Sequence, residues 1–171
     1  MARQIPSIDI QSLHNEVGMD PDQAITRAIN RSNLMDDVSL PAFERQLAGY
    51  LGVQEAIGVA SGSDALWLAL QALAVGRGDV VITVPNAPGH TGQAIRRAGA
   101  LPLFVDIDLI TGCMDVEELK RTLQFKCRCE DNGRVVHIET GLRVAALLPT
   151  HLNGLPADMP SILHIGRCYQ L

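Results

Sequence analysis

The sequence predicts an α/β fold built on a mainly parallel sheet with helices on both faces. Three observations carry that expectation. From residue 56 onward, short β-branched apolar runs alternate with segments of helical period. Clusters of Gly, Pro, Asn and Ser mark most of the changes between them. The 171 residues are 47% hydrophobic and 19% charged, which suits one core; a domain of that length buries about 70% of its unfolded surface.

The elements follow in order. Residues 21 to 33 (PDQAITRAINRSN) and 39 to 51 (SLPAFERQLAGYL) read as helices, the second capped by Ser39, with Phe43, Leu47, Tyr50 and Leu51 on one face and Gly52 as its stop. Then AIGVAS (56 to 61) reads as a strand, DALWLALQAL (64 to 73) as a helix and DVVITVP (79 to 85) as a strand. HTGQAIRRAG (90 to 99) is a helix, LPLFVDI (101 to 107) a strand and DVEELKRTL (115 to 123) a helix. RVVHI (134 to 138) and LRVAALLP (142 to 149) flank Glu139-Thr140-Gly141 as a hairpin, and 157 to 170 forms a last helix with Pro160 in its first turn. Absence of a repeat or linker predicts a single domain over 1 to 171, with N-terminal helices over 1 to 52 and a β/α core over 53 to 171.

Charge and composition narrow the partners. A net charge of −5, with 19 acidic against 14 basic side chains and no basic cluster, argues against nucleic acid. The N-terminus MARQIPSIDIQ has no signal-peptide pattern, and no apolar run is long enough to span a membrane, so a cytoplasmic protein is expected. Cys113, Cys127, Cys129 and Cys168 match neither a C-x-x-C redox motif nor a zinc pattern, and the five histidines lack paired spacing; no metal site is expected.

Parallel sheets gather ligands at the C-terminal ends of their strands, which singles out three loops: SGSD (61 to 64), PNAPGH (85 to 90) and PTHLNG (149 to 154). At Gly62, Ser63 and Asp64 a strand turns into a helix, so two or three backbone N–H groups and the Ser63 hydroxyl can converge on an anion. Ser and Asp are equally ordinary helix caps, and the residues alone support both readings. The turn is neither a Walker loop nor a G-x-G-x-x-G fingerprint. His90 is the one flat ring in its loop, able to stack on a heterocycle or simply to open a helix in solvent. His151 and Asn153 are expected to tie down their own loop, and Asp106 and Asp108 to cap a turn before Thr111-Gly112 rather than act as an acid/base pair.

Four stretches, FERQLAGYLGVQEAIGVASGSDALWLALQAL, GRGDVVITVPN, AGALPLFVDIDLITGCMDVEELKRTL and LLPTHLNGLPADM, occur in an order and spacing that resembles the DegT/DnrJ/StrS-type aminotransferases, from about residue 5 to 165. That resemblance implies the fold type I large domain, in its N-terminal part, with an inserted hairpin over 126 to 144. It implies pyridoxal 5'-phosphate as cofactor and amino transfer to a nucleotide-linked keto-sugar. It places Gly62, Ser63 and Asp64 at the cofactor's phosphate and His90 near the ring position, although the segment there is altered to NAPGH. The family's ring-nitrogen aspartate and Schiff-base lysine lie beyond the stretch matched by Leu171, and neither Lys120 nor Lys126 suits the lysine's role. A truncated chain, inactive alone, is therefore expected; the alternative is a non-catalytic module that pairs with a full-length relative. Either way, association as a homo-oligomer or with a longer chain is expected, because an incomplete sheet exposes apolar surface.

Overall fold

In the computed structural model, residues 9–17, 21–30 and 39–171 are described. The chain divides into two units, Met1–Gly58 and Val59–Leu171. In the first, α1 (Ile10–Val17), α2 (Pro21–Asn30) and α3 (Ser39–Leu51) are helical. The helix α1 was not expected, yet it carries a local start signal: Asp9 Oδ1 accepts from the Ser12 amide and Oδ2 from the Ser12 hydroxyl. Residues 31–33 of the helix expected over 21 to 33 lie outside the described residues. Gly52, at φ +68°, stops α3 as expected, and the Val53 amide closes back on the Ala48 carbonyl. Of the apolar face expected on α3, Leu47 is half-buried while Phe43, Tyr50 and Leu51 are exposed; the buried residue is Ala48.

The second unit holds α4 (Gly62–Ala72), β1 (Asp79–Thr83), α5 (Gly89–Arg97), β2 (Leu101–Phe104), α6 (Val116–Lys126), β3 (Cys127–Cys129), β4 (Val135–His137), β5 (Arg143–Leu147) and α7 (Met159–Tyr169). The sheet order is β2-β1-β5-β4-β3. The central strand β1 pairs in parallel with β2 and with β5, whereas β4 is antiparallel to both β5 and β3, so β4 alone runs against the rest. Both faces are covered. Val80 and Ile82 pack with Leu119, Leu123, Ile162 and Ile165 on one side; Val81 packs with Leu70, Ile95 and Ala146 on the other. Every residue of β1 is buried, as a strand sandwiched between helix layers must be. The register shift between Val80 and Val81 leaves Ala145 without a partner in β1, and both Ala145 and Ala146 then face the α4–α5 side.

Two expectations need correction. Residues 56 to 61 form no strand: they have no ladder partner among the described residues, and Ile57 and Val59 are exposed. An apolar alternating pattern specifies a strand only where a neighbour accepts its hydrogen bonds. Residues 127 to 129 do form a strand, so the inserted segment contains two antiparallel pairings, β3 with β4 and β4 with β5. The last helix begins at Met159, where Asp158 Oδ1 accepts from the Ser161 amide and Pro160 sits in the first turn, where its missing N–H costs nothing.

Candidate functional site

Parallel β1, β2 and β5 deliver three loops to one edge of the sheet, and side chains join them there. Asn86, after β1, donates from Nδ2 to the Gly112 carbonyl at 2.8 Å, linking the loops that follow β1 and β2. Leu152, after β5, packs its Cδ2 against Gly112, where a Cβ would stand only 3.1 Å away. The backbone at Gly112 has φ +68°, a left-handed conformation that favours glycine. Asn86 Oδ1 is buried and has no partner among the described residues.

The remaining expected loop residues hold their own backbones. His151 Nδ1 accepts from the Ala157 amide at 3.0 Å, spanning the turn that contains Asn153 at φ +51°. Asp108 Oδ1 accepts from the Ile110 and Thr111 amides and the Thr111 hydroxyl; these bonds hold its carboxyl below the usual range. Asp106 Oδ1 accepts from the next amide, Ile107, at 2.8 Å. The carboxylates of this segment are thus occupied with turn formation, as the Thr-Gly spacing predicts.

The 61 to 64 turn is built as a helix start with two open donors. Ser61 caps α4: its Oγ accepts from the Asp64 amide at 3.1 Å, and its hydroxyl donates to Asp64 Oδ2 at 2.8 Å. The Ala65 amide bonds the Ser61 carbonyl. That leaves the Gly62 and Ser63 amides, for which no acceptor is present among the described residues. The expected two or three converging amides therefore narrow to two, because the third, on Asp64, is taken by the chain itself. Among the described residues, the chain neighbours and the helix's own backbone aside, no atom lies within 4 Å of where a Cβ on Gly62 would stand, so an anion can reach the backbone there. Two free amides, a neighbouring hydroxyl on Ser63 and open space suit a phosphate group.

Asp64 is itself paired. Its Oδ1 receives Arg97 Nη1, from the last turn of α5, at 2.5 Å. The same guanidinium stacks on the Trp67 ring, 3.9 Å from its centroid. The Ser61 hydroxyl and then Arg97 hold the Asp64 carboxyl below the usual carboxylate range. His90 stands exposed in the first turn of α5, with no hydrogen bond or ring contact to the 61 to 64 turn among the described residues. Lys120 Nζ pairs with Glu117 at 2.7 Å on α6, and Lys126 ends the same helix, so neither lysine projects from the loops described above.

Sequence reasoning missed one buried charge pair. Asp79 at the start of β1 takes both Nε and Nη2 of Arg143 at the start of β5, at 2.8 and 2.9 Å, and also the Gly76 amide at 2.9 Å. Burial pushes the Asp79 carboxyl up, but the Arg143 and Gly76 hydrogen bonds outweigh it and hold the group below its usual range. A signal was present: DVVITVP opens on Asp79, and LRVAALLP carries the opposite charge, Arg143, at its second position. This pair lies at the opposite end of the strands from the loops and braces the sheet.

A mostly parallel sheet, helices on both faces and an anion-receptive helix start just before its first strand match the large-domain architecture of fold type I aminotransferases. The comparisons carry this further. The profile of the DegT/DnrJ/EryC1/StrS aminotransferase family matches residues 16–171, and the chain belongs to that family. It is 35% identical over 144 residues to a UDP-N-acetyl-3-dehydro-alpha-D-glucosamine 3-aminotransferase of Acidithiobacillus ferrooxidans, covering 81% of this chain and 34% of that protein. It is 31% identical over 163 residues to a dTDP-3-amino-3,4,6-trideoxy-alpha-D-glucose transaminase of Streptomyces venezuelae, covering 95% and 38%. Among solved structures, a DegT DnrJ EryC1 StrS aminotransferase from Brucella abortus superposes with a TM-score of 0.82 at 26% identity, over 98% of this chain and 42% of that one. NtdA from Bacillus subtilis, solved with bound PMP, gives 0.73 at 26% identity, over 100% and 36%. The chain thus spans about a third to two fifths of these relatives. The family is dependent on pyridoxal phosphate. No helix among the described residues is long and apolar enough to cross a membrane.

Proposed function

We propose that this chain is the phosphate-holding part of a pyridoxal-phosphate-dependent aminotransferase acting on a nucleotide-linked keto-sugar. The observation that carries the reading is the pair of unpartnered amides on Gly62 and Ser63, at the start of an α/β core whose family uses a phosphorylated cofactor. Gly62 lets the anion approach the backbone, Ser63 adds a hydroxyl, and the positive end of α4 favours a doubly charged group. Asp64 orders the turn through Ser61, and His90, exposed in the first turn of α5, is assigned to the ring of the cofactor by the family resemblance. When bound, pyridoxal phosphate supplies the electron sink for amino transfer.

Lys120 is committed to Glu117, and Lys126 shares its helix, so neither is assigned the covalent role. The chain by itself is proposed to hold the cofactor without a covalent bond and without transaminase turnover. The test is purification with pyridoxal phosphate, an absorbance spectrum, borohydride treatment and peptide mass spectrometry. Retained cofactor with no lysine adduct supports the proposal. An adduct on Lys120 or Lys126 overturns its non-covalent part, and failure to retain cofactor overturns the phosphate assignment.

A second reading, a non-catalytic module that pairs with a longer relative or with itself, is supported by exposed apolar side chains in the Val59–Leu171 unit: Leu73, Leu109, Ile110 and Phe125 are 68%, 95%, 93% and 70% accessible. Light scattering that finds a stable monodisperse monomer counts against association in either reading.

A further inference from the structure

Placing a carboxylate in the first turn of an anion-binding helix is self-defeating unless something offsets its charge, because the ligand and Asp64 carry the same sign. The structure supplies the offset from 33 residues away. Arg97 reaches from α5 to Asp64 Oδ1, while its planar face lies on Trp67 and the Ser61 hydroxyl takes Asp64 Oδ2. Both carboxylate oxygens are thereby engaged, and the guanidinium is held by two contacts of different kinds rather than by a single flexible ion pair. Its side chain is still 52% accessible, so its charge remains close to solvent and to an arriving anion.

We infer that Arg97 is a positioning residue for the phosphate site: held on Trp67, it pins and neutralises Asp64 so that the Gly62 and Ser63 amides can donate to a dianionic phosphate. This rests on the phosphate reading of the α4 turn and adds a specific electrostatic dependence to it. A carboxylate released from Arg97 opposes the ligand by a long-range charge effect. Removing that carboxylate as well removes the opposition. Arg97 and Asp64 are therefore coupled, with a sign that loss of mere helix packing does not reproduce.

The chain's single tryptophan is Trp67, so its fluorescence reports binding beside the turn. The experiment titrates the full chain and its variants with pyridoxal phosphate, following Trp67 quenching, with unphosphorylated pyridoxal as the control. Arg97→Ala is expected to weaken pyridoxal phosphate binding about tenfold, the size Coulomb's law gives for one uncompensated carboxylate roughly 6 Å from a dianion in water-like surroundings. Asp64→Asn, which leaves Arg97 unopposed, is expected to tighten it about threefold. The double variant is expected to return to within about threefold of the parent, and Arg97→Lys, which keeps the charge if Arg97→Ala fails to fold, to stay within about threefold. Pyridoxal should show none of these differences. A double variant as weak as Arg97→Ala, or an Arg97→Ala protein that binds normally, overturns the inference while leaving the phosphate site standing. A parent chain that does not bind pyridoxal phosphate at all overturns both.

Discussion

Removing Asp79 or Arg143 tests whether the Asp79–Arg143 pair braces the sheet, and the two deletions differ in a way the geometry determines. Asp79 is 10% accessible at its side chain and Arg143 40%. A surface pair of this type contributes about 0 to 1 kcal/mol, whereas breaking a fully buried one costs about 3 to 5 kcal/mol. With one partner buried and the other half-exposed, Asp79→Ala is expected to cost about 2 kcal/mol: two charge-assisted bonds and the Gly76 bond are lost, but Arg143 can turn to water. Arg143→Ala is expected to cost more, about 3 kcal/mol, because it leaves a buried carboxylate with only the Gly76 amide. The folded Asp79 carboxyl lies below its unfolded value of about 3.9, so the stabilisation is complete above that range and disappears as pH falls through the folded value. Urea unfolding followed by circular dichroism, at pH 7 and then at successively lower pH, measures all three proteins. Parent and Asp79→Ala should differ most at pH 7, and the difference should shrink as pH falls through the folded Asp79 value. Equal stability of parent and Asp79→Ala at pH 7, or an Arg143→Ala protein more stable than Asp79→Ala, refutes the reasoning.

Two further expectations concern other parts of the fold. Burial pushes the Cys127 thiol up to about 11, and Cys113 is buried with its Sγ donating to the Leu155 carbonyl, whereas Cys129 and Cys168 are exposed. Iodoacetamide at pH 8 should therefore label Cys129 and Cys168 in the folded protein and reach Cys113 and Cys127 only after denaturant is added; peptide mass spectrometry reads the order. Gly112→Ala meets both a left-handed backbone and a Leu152 Cδ2 contact at 3.1 Å, so it should lower stability by about 1 to 2 kcal/mol in thermal or urea melts, with Gly112→Asn less costly because asparagine tolerates that backbone region.

Where local chemistry set an element, the sequence revealed it. The run DVVITVP became the wholly buried β1, and the Ser61–Asp64 cap began α4 within two residues of the expected start. The helix expected over 115 to 123 begins one residue later, at Val116 with Asp115 as its cap, and extends to Lys126. Elements that depend on a distant partner were harder to see. The three residues of β3 are unremarkable until Cys127 aligns with His137, and the apolar pattern of 56 to 61 misleads because no strand receives it among the described residues. The same division runs through the candidate site. Gly62, Ser63 and Asp64 are adjacent in sequence and were visible as a turn, but Arg97 and Trp67 complete it through tertiary contacts that no spacing rule encodes. The assignment of His90 rested on resemblance rather than on periodicity, and its position in the first turn of α5 is compatible with a solvated helix start as well as with a ring platform.

The most direct measurement is nuclear magnetic resonance of the nitrogen-15-labelled chain titrated in parallel with pyridoxal phosphate and with pyridoxal. Phosphate held by the α4 turn should move the Gly62 and Ser63 amide resonances markedly, spare the Asp64 amide that Ser61 already occupies, and produce no such shift with pyridoxal. Gly62 and Ser63 resonances that stay fixed while pyridoxal phosphate binds elsewhere, or that respond equally to both compounds, would contradict the assignment.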